Sequence, residues 1–294
     1  MSEDPLWPRA SAWLAQASAD PVDLAVIGVP THRTSISETS AHTTPDAIRA
    51  ALDRYSTYSW AHDVDIAQLR VKDFGNVHEP DGLDGEARVM DAVSTAHAQL
   101  LIALGGDNSL TYSVMAGMCG GDLSDAGLIT LDAHHDLRDG VSNGSPVRRL
   151  IEAGLPGPHV VQIGIADFSN SRDYAERARD LGIRVITRDA LRRRPIADVL
   201  AEALEVAGAG GGVVHVDLDV DVCDRSVVPA CPAAAPGGLS ADELREVAYI
   251  AGNSPRVSSI DIAEIDAGAD ATDGRTVRLG ALLLLEAAAG LATR

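Results

Sequence analysis

Four short stretches carry residue types that could act together: "GGDNS" (105–109), "DAHHD" (132–136), "DLDVDVCD" (217–224) and "AEID" (263–266). Each closes or follows an apolar run. A carboxylate taken out of water without a partner is costly, so this many acids at the ends of buried segments call for a cation. Residues two apart in an extended segment point the same way, so Asp132, His134 and Asp136 are expected to approach one point while Ala133 and His135 face elsewhere. The same spacing aligns Asp217, Asp219 and Asp221, with Leu218, Val220 and Val222 on the buried side. Five or six carboxylates with one imidazole and no thiolate suit Mn²⁺ or Mg²⁺ better than Zn²⁺. That many acids favour two ions over one, with a water between them acidified into a nucleophile. A lone DxD is usually a cap, an Asx-turn or a solvated face. Recurrence at four strand ends is what favours metal.

The elements that must position these groups follow from the pattern of apolar runs. β-Branched segments at 23–29, 69–75, 100–106, 127–132, 159–164, 183–187, 212–220 and 257–265 alternate with helical patterns near 45–54, 84–98, 108–118, 171–181, 195–207, 241–252 and 275–292. Such alternation predicts an α/β fold, a three-layer α/β/α sandwich with a mainly parallel sheet of about eight strands. In open parallel sheets, ligands bind beyond the carboxyl ends of the strands, where the four acidic stretches fall. "GAGGG" (208–212) reads as a turn between helix and strand, and "CPAAAPGGLS" (231–240) as a loop closing on a helix start. With no linker, composition shift or repeat, residues 1–294 are expected to form a single catalytic domain.

The formal net charge of −19 repels phosphate backbones, and no basic stripe offsets it, which argues against nucleic-acid partners. Lys72 is the only lysine and lies in a strand pattern, so Schiff-base chemistry and lysine-dependent phosphate loops lack a candidate. Cys119, Cys223 and Cys231 have no CxxC spacing and read as buried thiols. "MSEDPLWPRASAWLAQASAD" has neither the basic start nor the unbroken apolar core of a secretory leader, and no run approaches a membrane span. A cytoplasmic protein acting on a small molecule is expected.

In this combination the residues resemble the ureohydrolase family of arginases, agmatinases and formimidoylglutamases, which hydrolyse a guanidine or formimidoyl C–N bond at a dinuclear manganese centre. The likeness runs from "TSISETSAHTTPDAIRAAL" (34–52) through "GGDNS", "DAHHDLR" and "DLDVDVCD" to "DIAEID", with DAHxD and DxDxxD in order. The resemblance implies two Mn²⁺ ions held by Asp132, His134, Asp136, Asp219 and Asp221, the bridging carboxylates being Asp132 and Asp219. It implies that Asp224 supports the loop, that Asp217 is an outer acid only, and that Glu264 meets the substrate's cationic nitrogen group. It also implies a homo-oligomer, a trimer or hexamer.

Two departures from the family pattern bear on the substrate. Asn108 stands where relatives usually carry a histidine ligand; a neutral amide oxygen is the weaker donor, so its ion is expected to bind less tightly or be absent. Asn143, in "SNGSPVRRL" (142–150), stands where arginases and agmatinases carry a proton-shuttling histidine, and an amide cannot titrate. Formimidoylglutamases typically lack that histidine and carry an arginine shortly after, as Arg148 is here. The resemblance therefore points to hydrolysis of N-formimidoyl-L-glutamate to L-glutamate and formamide. Glu264 and Asn143 are the candidate catalytic positions, and Arg148, Asn170, Ser171 and His32 the candidate substrate contacts. Arg148 and Arg149 could equally be solvated helix residues. His135 and His215 read as packing groups, and Arg33 as a further carboxylate partner beside His32. The rivals are a ureohydrolase acting on agmatine or a guanidino acid, and a non-catalytic paralogue with a degraded metal site. A metal-dependent phosphatase would need basic residues near the acids, and only Arg138 is close.

Overall fold

Eight apolar segments form one sheet: β1 (Val22–Val29), β2 (Val71–Asn76), β3 (Ala98–Gly105), β4 (Gly127–Leu131), β5 (Val160–Ile165), β6 (Arg184–Thr187), β7 (Val214–Asp219) and β8 (Val257–Ala263). Every pairing is parallel, in the order β2-β1-β3-β8-β7-β4-β5-β6. The computed structural model describes residue 4, residues 6–16, residue 18 and residues 21–294. The reading of residues 1–20 as lacking a leader falls partly outside that set.

Parallel neighbours need crossover segments, which here are helices on both faces. The helices are α1 (Ala10–Leu14), α2 (Thr44–Ala51), α3 (Gly82–Thr95), α4 (Leu110–Met118), α5 (Pro146–Glu152), α6 (Arg172–Asp180), α7 (Arg188–Leu191), α8 (Ile196–Ala207), α9 (Ala241–Asn253) and α10 (Arg275–Ala292). Val26, Ile102, Ile129, Val216, Leu218, Ile260 and Ile262 pack with α2, α8, α9 and α10 on one face. Their alternates Ile27, Ala103 and Ala263 meet α3 and α4, and Leu128 and Val160 meet α4, α5 and α6, on the other. The three-layer expectation is met.

This alternation also sets which polar residues share a face. His215, Asp217 and Asp219 on β7 are the alternates of Val216 and Leu218, so they turn toward the α3–α6 side. Register pairs Asp217 with Thr130 and Asp261, and Asp219 with Ala263. Polar groups thus run along this face to the carboxyl edge.

All eight strand expectations and all seven helix expectations correspond to elements, with shifts of a few residues at the ends. The pattern did not reveal α1, α5, α7 or the two-stranded antiparallel ribbon of Tyr58–Ser59 with Val64–Asp65. Each is too short to show a period. α4 begins at Leu110 rather than at 108 because the Asp107 carboxylate accepts from the backbone and hydroxyl of Ser109 (3.2 and 2.5 Å), holding a turn ahead of it. "GAGGG" does end α8, and Ser240 with Glu243 forms a capping box that starts α9. Cys223 and Cys231 are buried and Cys119 is half-buried; burial pushes the Cys119 thiol up to about 11 and Cys223 to about 12. Among the described residues no helix is long and apolar enough to cross a membrane.

Candidate metal centre

The acidic stretches meet at the carboxyl edge of β3, β8, β7 and β4, the four central strands. Asp132 follows β4, and its backbone N–H is anchored to the Ile163 carbonyl of β5 (3.0 Å). Asp219 ends β7, and its carboxylate accepts from the Asp221 backbone N–H (2.8 Å), which folds residues 220–222 into one 3₁₀ turn. The turn delivers Asp221 to the next loop, where its carboxylate accepts from the Ala133 N–H (2.8 Å) and lies 2.7 Å from His134 Nδ1. Arg188 fixes the turn from behind by donating to the Asp221 carbonyl (2.7 Å). Asp132 accepts from the His134 N–H (2.6 Å), and its carboxylate is 3.5 Å from His134 Nδ1. Ligand atoms of Asp132, His134 and Asp221 all lie within 4.8 Å of one another.

The strand alternation invoked for Asp136 and Asp221 does not extend that far: β4 stops at Leu131 and β7 at Asp219. Asp136 is turned inward instead by a left-handed backbone (φ 53°), and Glu264 by another (φ 64°). Both are strained conformations for residues with a Cβ, held by the packing around them. "GGDNS" is seated against the β1 loop at Gly106, where a Cβ would come within 2.4 Å of the Thr31 backbone. That seat lets the Asn108 N–H reach Glu264 Oε1 (2.8 Å).

Burial is severe and the electrostatics follow from it. Asp132 is pushed up to about 7 by burial and then by the Asp221 charge. Burial, then neighbouring carboxylates, holds Asp136 and Asp219 well above the usual range. Burial would lower His134, but its hydrogen bonds to Asp132 and Asp221 outweigh this and hold it up at about 11. For Asp221 the same hydrogen bond overcomes burial and keeps the carboxyl low. The protein alone cannot keep all these acids ionised. Asp132 Oδ2 is buried and accepts no hydrogen bond from the described residues, and the donors are hard oxygens with a single imidazole. The set fits a divalent cation of the Mn²⁺ or Mg²⁺ kind.

The expected residues divide when placed in the structure. A cavity of about 320 Å³ over the acids is lined by His134, Asp136, Asp219, Asp221, Glu264, Asn143, Asn170 and Ser171. Asn108 is buried beneath it, its amide donating to Asp136 (2.7 Å) and its carbonyl oxygen accepting from the Thr111 hydroxyl (2.9 Å). In this orientation its amide steadies Asp136, at the place beside the acids from which a ligand was expected. Asn143 spans the wall: its amide donates to Glu264 Oε1 (2.9 Å) and its oxygen accepts from the Ile36 N–H (3.1 Å). Asn170 is spent on backbone, accepting from His135 N–H (3.0 Å) and donating to the Ala133 carbonyl (2.9 Å). Ser171 caps α6, receiving the Tyr174 N–H. His135 and Gln162 bond each other through ring and amide (2.7 Å). His215 is buried between Ser259 and Asp261 (2.7 and 3.0 Å), as a core histidine should be. Asp217 lies deeper on the same face, both oxygens without a described partner, and burial and then the Asp261 charge push it up.

Two substrate-contact expectations need correcting. Arg148 does not line the cavity. Its guanidinium donates to the Arg138 carbonyl (2.6 Å), the Gly140 carbonyl and Glu152, because α5 lies directly under the 138–140 loop. Arg149 is likewise occupied, by Glu86 (2.8 and 2.7 Å) and the Tyr112 ring. His32 is also outside the cavity, packed on His42 and 3.4 Å from Asp81, whose carboxylate also takes the His32 and Arg33 N–H groups. The sequence reading missed Ile36, Ser37, Arg138 and Tyr174 as lining residues. For Arg138 the signal was present, since it follows the acidic run after a single residue.

Asp224 accepts from the Ser226 N–H and hydroxyl (2.8 and 2.5 Å) and from Gly237 N–H (2.6 Å), bracing the loop after Asp221. These bonds hold its carboxyl down at about 2. A depressed acid stabilises the fold above its unfolded value and loses that effect as pH falls through the folded one. Asp224→Asn is therefore expected to lower stability at pH 7 by about 1 kcal/mol. In thermal melts the gap from wild type should close between about pH 4 and about 2; a gap constant down to pH 2 contradicts this role.

A parallel sheet whose carboxyl edge gathers one imidazole and several buried carboxylates beneath a cavity defines an α/β/α protein built around a divalent-cation centre. The chain belongs to the arginase family, whose family model matches residues 22–290. It is 36% identical to a formimidoylglutamase of Halalkalibacterium halodurans, over 82% of this chain and 79% of that protein. The crystal structure of formimidoylglutamase from Bacillus subtilis matches with a TM-score of 0.92 at 32% identity, covering 99% of this chain and 94% of the other. Formiminoglutamase of Trypanosoma cruzi with Mn²⁺ shares the fold, with a TM-score of 0.89 at 24% identity over 98% of this chain and 99% of that one.

Proposed function

We propose that the chain hydrolyses N-formimidoyl-L-glutamate to L-glutamate and formamide at a manganese centre on a single catalytic domain, residues 1–294. The observation that carries this reading is Asn143: at the wall beside Glu264 it locks both ends of its amide into the pocket and has no proton to give near neutrality. Similarity to formimidoylglutamases over most of the chain supports the same substrate. The manganese carried by the T. cruzi relative supports the metal.

Asp132, His134, Asp136, Asp219 and Asp221 would hold the ions. When bound, a divalent cation supplies Lewis acidity for attack of water on the formimidoyl carbon. Glu264 faces the cavity with Oε1 engaged by Asn108 and Asn143, which fixes the carboxylate so that its other oxygen takes the N–H of the amidine. Asn143 keeps Glu264 and the Ile36 loop in register. Asn170 holds the backbone on either side of His134, at the Ala133 carbonyl and the His135 N–H. An ion held beside Asn108 and Asp136 would be the weaker of the two, because Asn108 brings no charge to it. The cytoplasmic location and the trimeric or hexameric assembly belong to this reading and are checked by sedimentation and by fractionation.

Incubating the manganese-loaded protein separately with formimidoylglutamate, agmatine, arginine and guanidinobutyrate tests the substrate. Formamide and glutamate in equal amounts from the first, with no urea from the others, is the expected result. Urea release without formamide moves the assignment to a guanidino substrate. No product from any of them, with little metal bound, supports the non-catalytic reading.

A further inference from the structure

The sequence pattern pointed to Arg148 as the partner of a substrate carboxylate, yet every described contact of that guanidinium is to backbone carbonyls or Glu152. The loop that it supports carries another arginine. Residues 137–140 are held from two sides: Arg148 grips the carbonyls of Arg138 and Gly140, and Arg177 donates to the Leu137 carbonyl (2.6 Å) and the Asp139 carboxylate (2.8 Å). The Arg138 N–H completes the brace on the Gly144 carbonyl (3.0 Å).

The Arg138 side chain is guided as well. A Cβ at Gly144 would sit 2.8 Å from Arg138 Cδ and 3.2 Å from Nε, so glycine there leaves room for the arginine stem to lie against the backbone. Arg138 is an exposed residue of the cavity lining, and among the described residues its guanidinium has no hydrogen-bond partner. Among the described residues it is the one arginine of a lining whose other charged groups are His134, Asp136, Asp219, Asp221 and Glu264, and no lysine lines it. A chain with a net charge of −19 repels an anionic substrate unless some local cation receives it. A placed stem and an unpaired fork are suited to bind a carboxylate in two parallel hydrogen bonds.

We infer that Arg138 is the specificity residue that binds a carboxylate of the substrate, and that Arg148 and Arg177 are positioning residues that hold its loop. The inference rests on the formimidoylglutamate reading. His134, Asp136, Asp219 and Asp221, which would hold the metal, share one lining with Arg138, so a single cavity would receive both ends of an amidine that bears a distal carboxylate.

The test compares wild type, Arg138→Gln, Arg138→Lys and Arg148→Gln, all manganese-loaded, on formimidoylglutamate and on two analogues, one without the α-carboxylate and one without the side-chain carboxylate. Arg138→Gln is expected to raise KM about ten- to a hundredfold with kcat changed less than about threefold, the sign of lost uniform binding. Arg138→Lys should recover part of the loss, since it keeps the charge and drops the fork. For one analogue the penalty of Arg138→Gln should vanish, which identifies the carboxylate bound. Arg148→Gln, which loosens the loop, is expected to raise KM only for the substrates that carry the bound carboxylate, and by less than Arg138→Gln does, with the KM for the analogue that lacks it as in wild type. Wild-type turnover with an unchanged KM in Arg138→Gln, or a penalty equal for all three substrates, overturns the inference alone. Absence of turnover in the wild type overturns the substrate reading and this inference with it.

Discussion

Asp132→Asn is expected to lower turnover of the manganese-supplemented enzyme at least about a thousandfold and to abolish tight binding of one ion or both. The size follows from several kcal/mol of transition-state stabilisation by a Lewis acid, at about 1.4 kcal/mol for each factor of ten. Asp132 is the acid whose loss matters most: one oxygen is tied to the His134 N–H, and the other is buried without a partner among the described residues. An amide there still accepts from His134 but brings no charge. Stability should move the other way. Asp132 is crowded by Asp221 and held near 7 by burial, so neutralising it relieves the metal-free fold. Metal-free Asp132→Asn should therefore melt at or above the wild-type temperature, whereas added Mn²⁺ should raise the melting temperature of wild type more than that of the variant. Calorimetric titration, melting curves and initial rates on the same preparations read all three. A variant that binds two ions as tightly as wild type would remove Asp132 from the centre.

The layers of the fold were readable because periodicity is a property of single segments. In β7, Val216 and Leu218 against His215, Asp217 and Asp219 announces two faces before any neighbour is known, and the structure sets them on two faces. The gathering of acids was readable for the same reason, since each ends an apolar strand. What failed depended on non-local geometry. Asp221 arrives through a 3₁₀ turn and Asp136 through a left-handed residue, and spacing does not encode either. Arg138, Arg148 and Arg149 differ little as letters. Their fates are set by which carbonyls and carboxylates the α5 packing brings within reach, and only the residue left over faces the cavity. His32 was misplaced because a short loop segment has no period, and the Asp81 carboxylate draws it away from the pocket.

That dependence on leftover valence also sets the expectation for Glu264. Its Oε1 is engaged by the Asn108 N–H and the Asn143 amide, and it is held inward by a left-handed backbone at the end of β8. Burial, then the Asp107 charge, pushes it up to about 7. Glu264→Gln keeps the shape, and its amide oxygen can still accept from Asn108 and Asn143. The amide NH₂ then faces the cavity, where an amidine presents N–H donors, so an attractive contact becomes donor against donor. Loss of a charged hydrogen bond, together with an unpaired buried donor, is expected to lower kcat/KM for formimidoylglutamate by about two to three orders of magnitude, ~3–4 kcal/mol. Metal content should be unchanged, because the effect acts on the substrate's nitrogen and not on the ligands. Binding separates the roles: formamidinium should lose affinity for Glu264→Gln, while L-glutamate, which has no amidine, should bind as it does to wild type. Rates within threefold of wild type at full metal content would mean that Glu264 only braces the Asn108 turn, and that the amidine is held elsewhere.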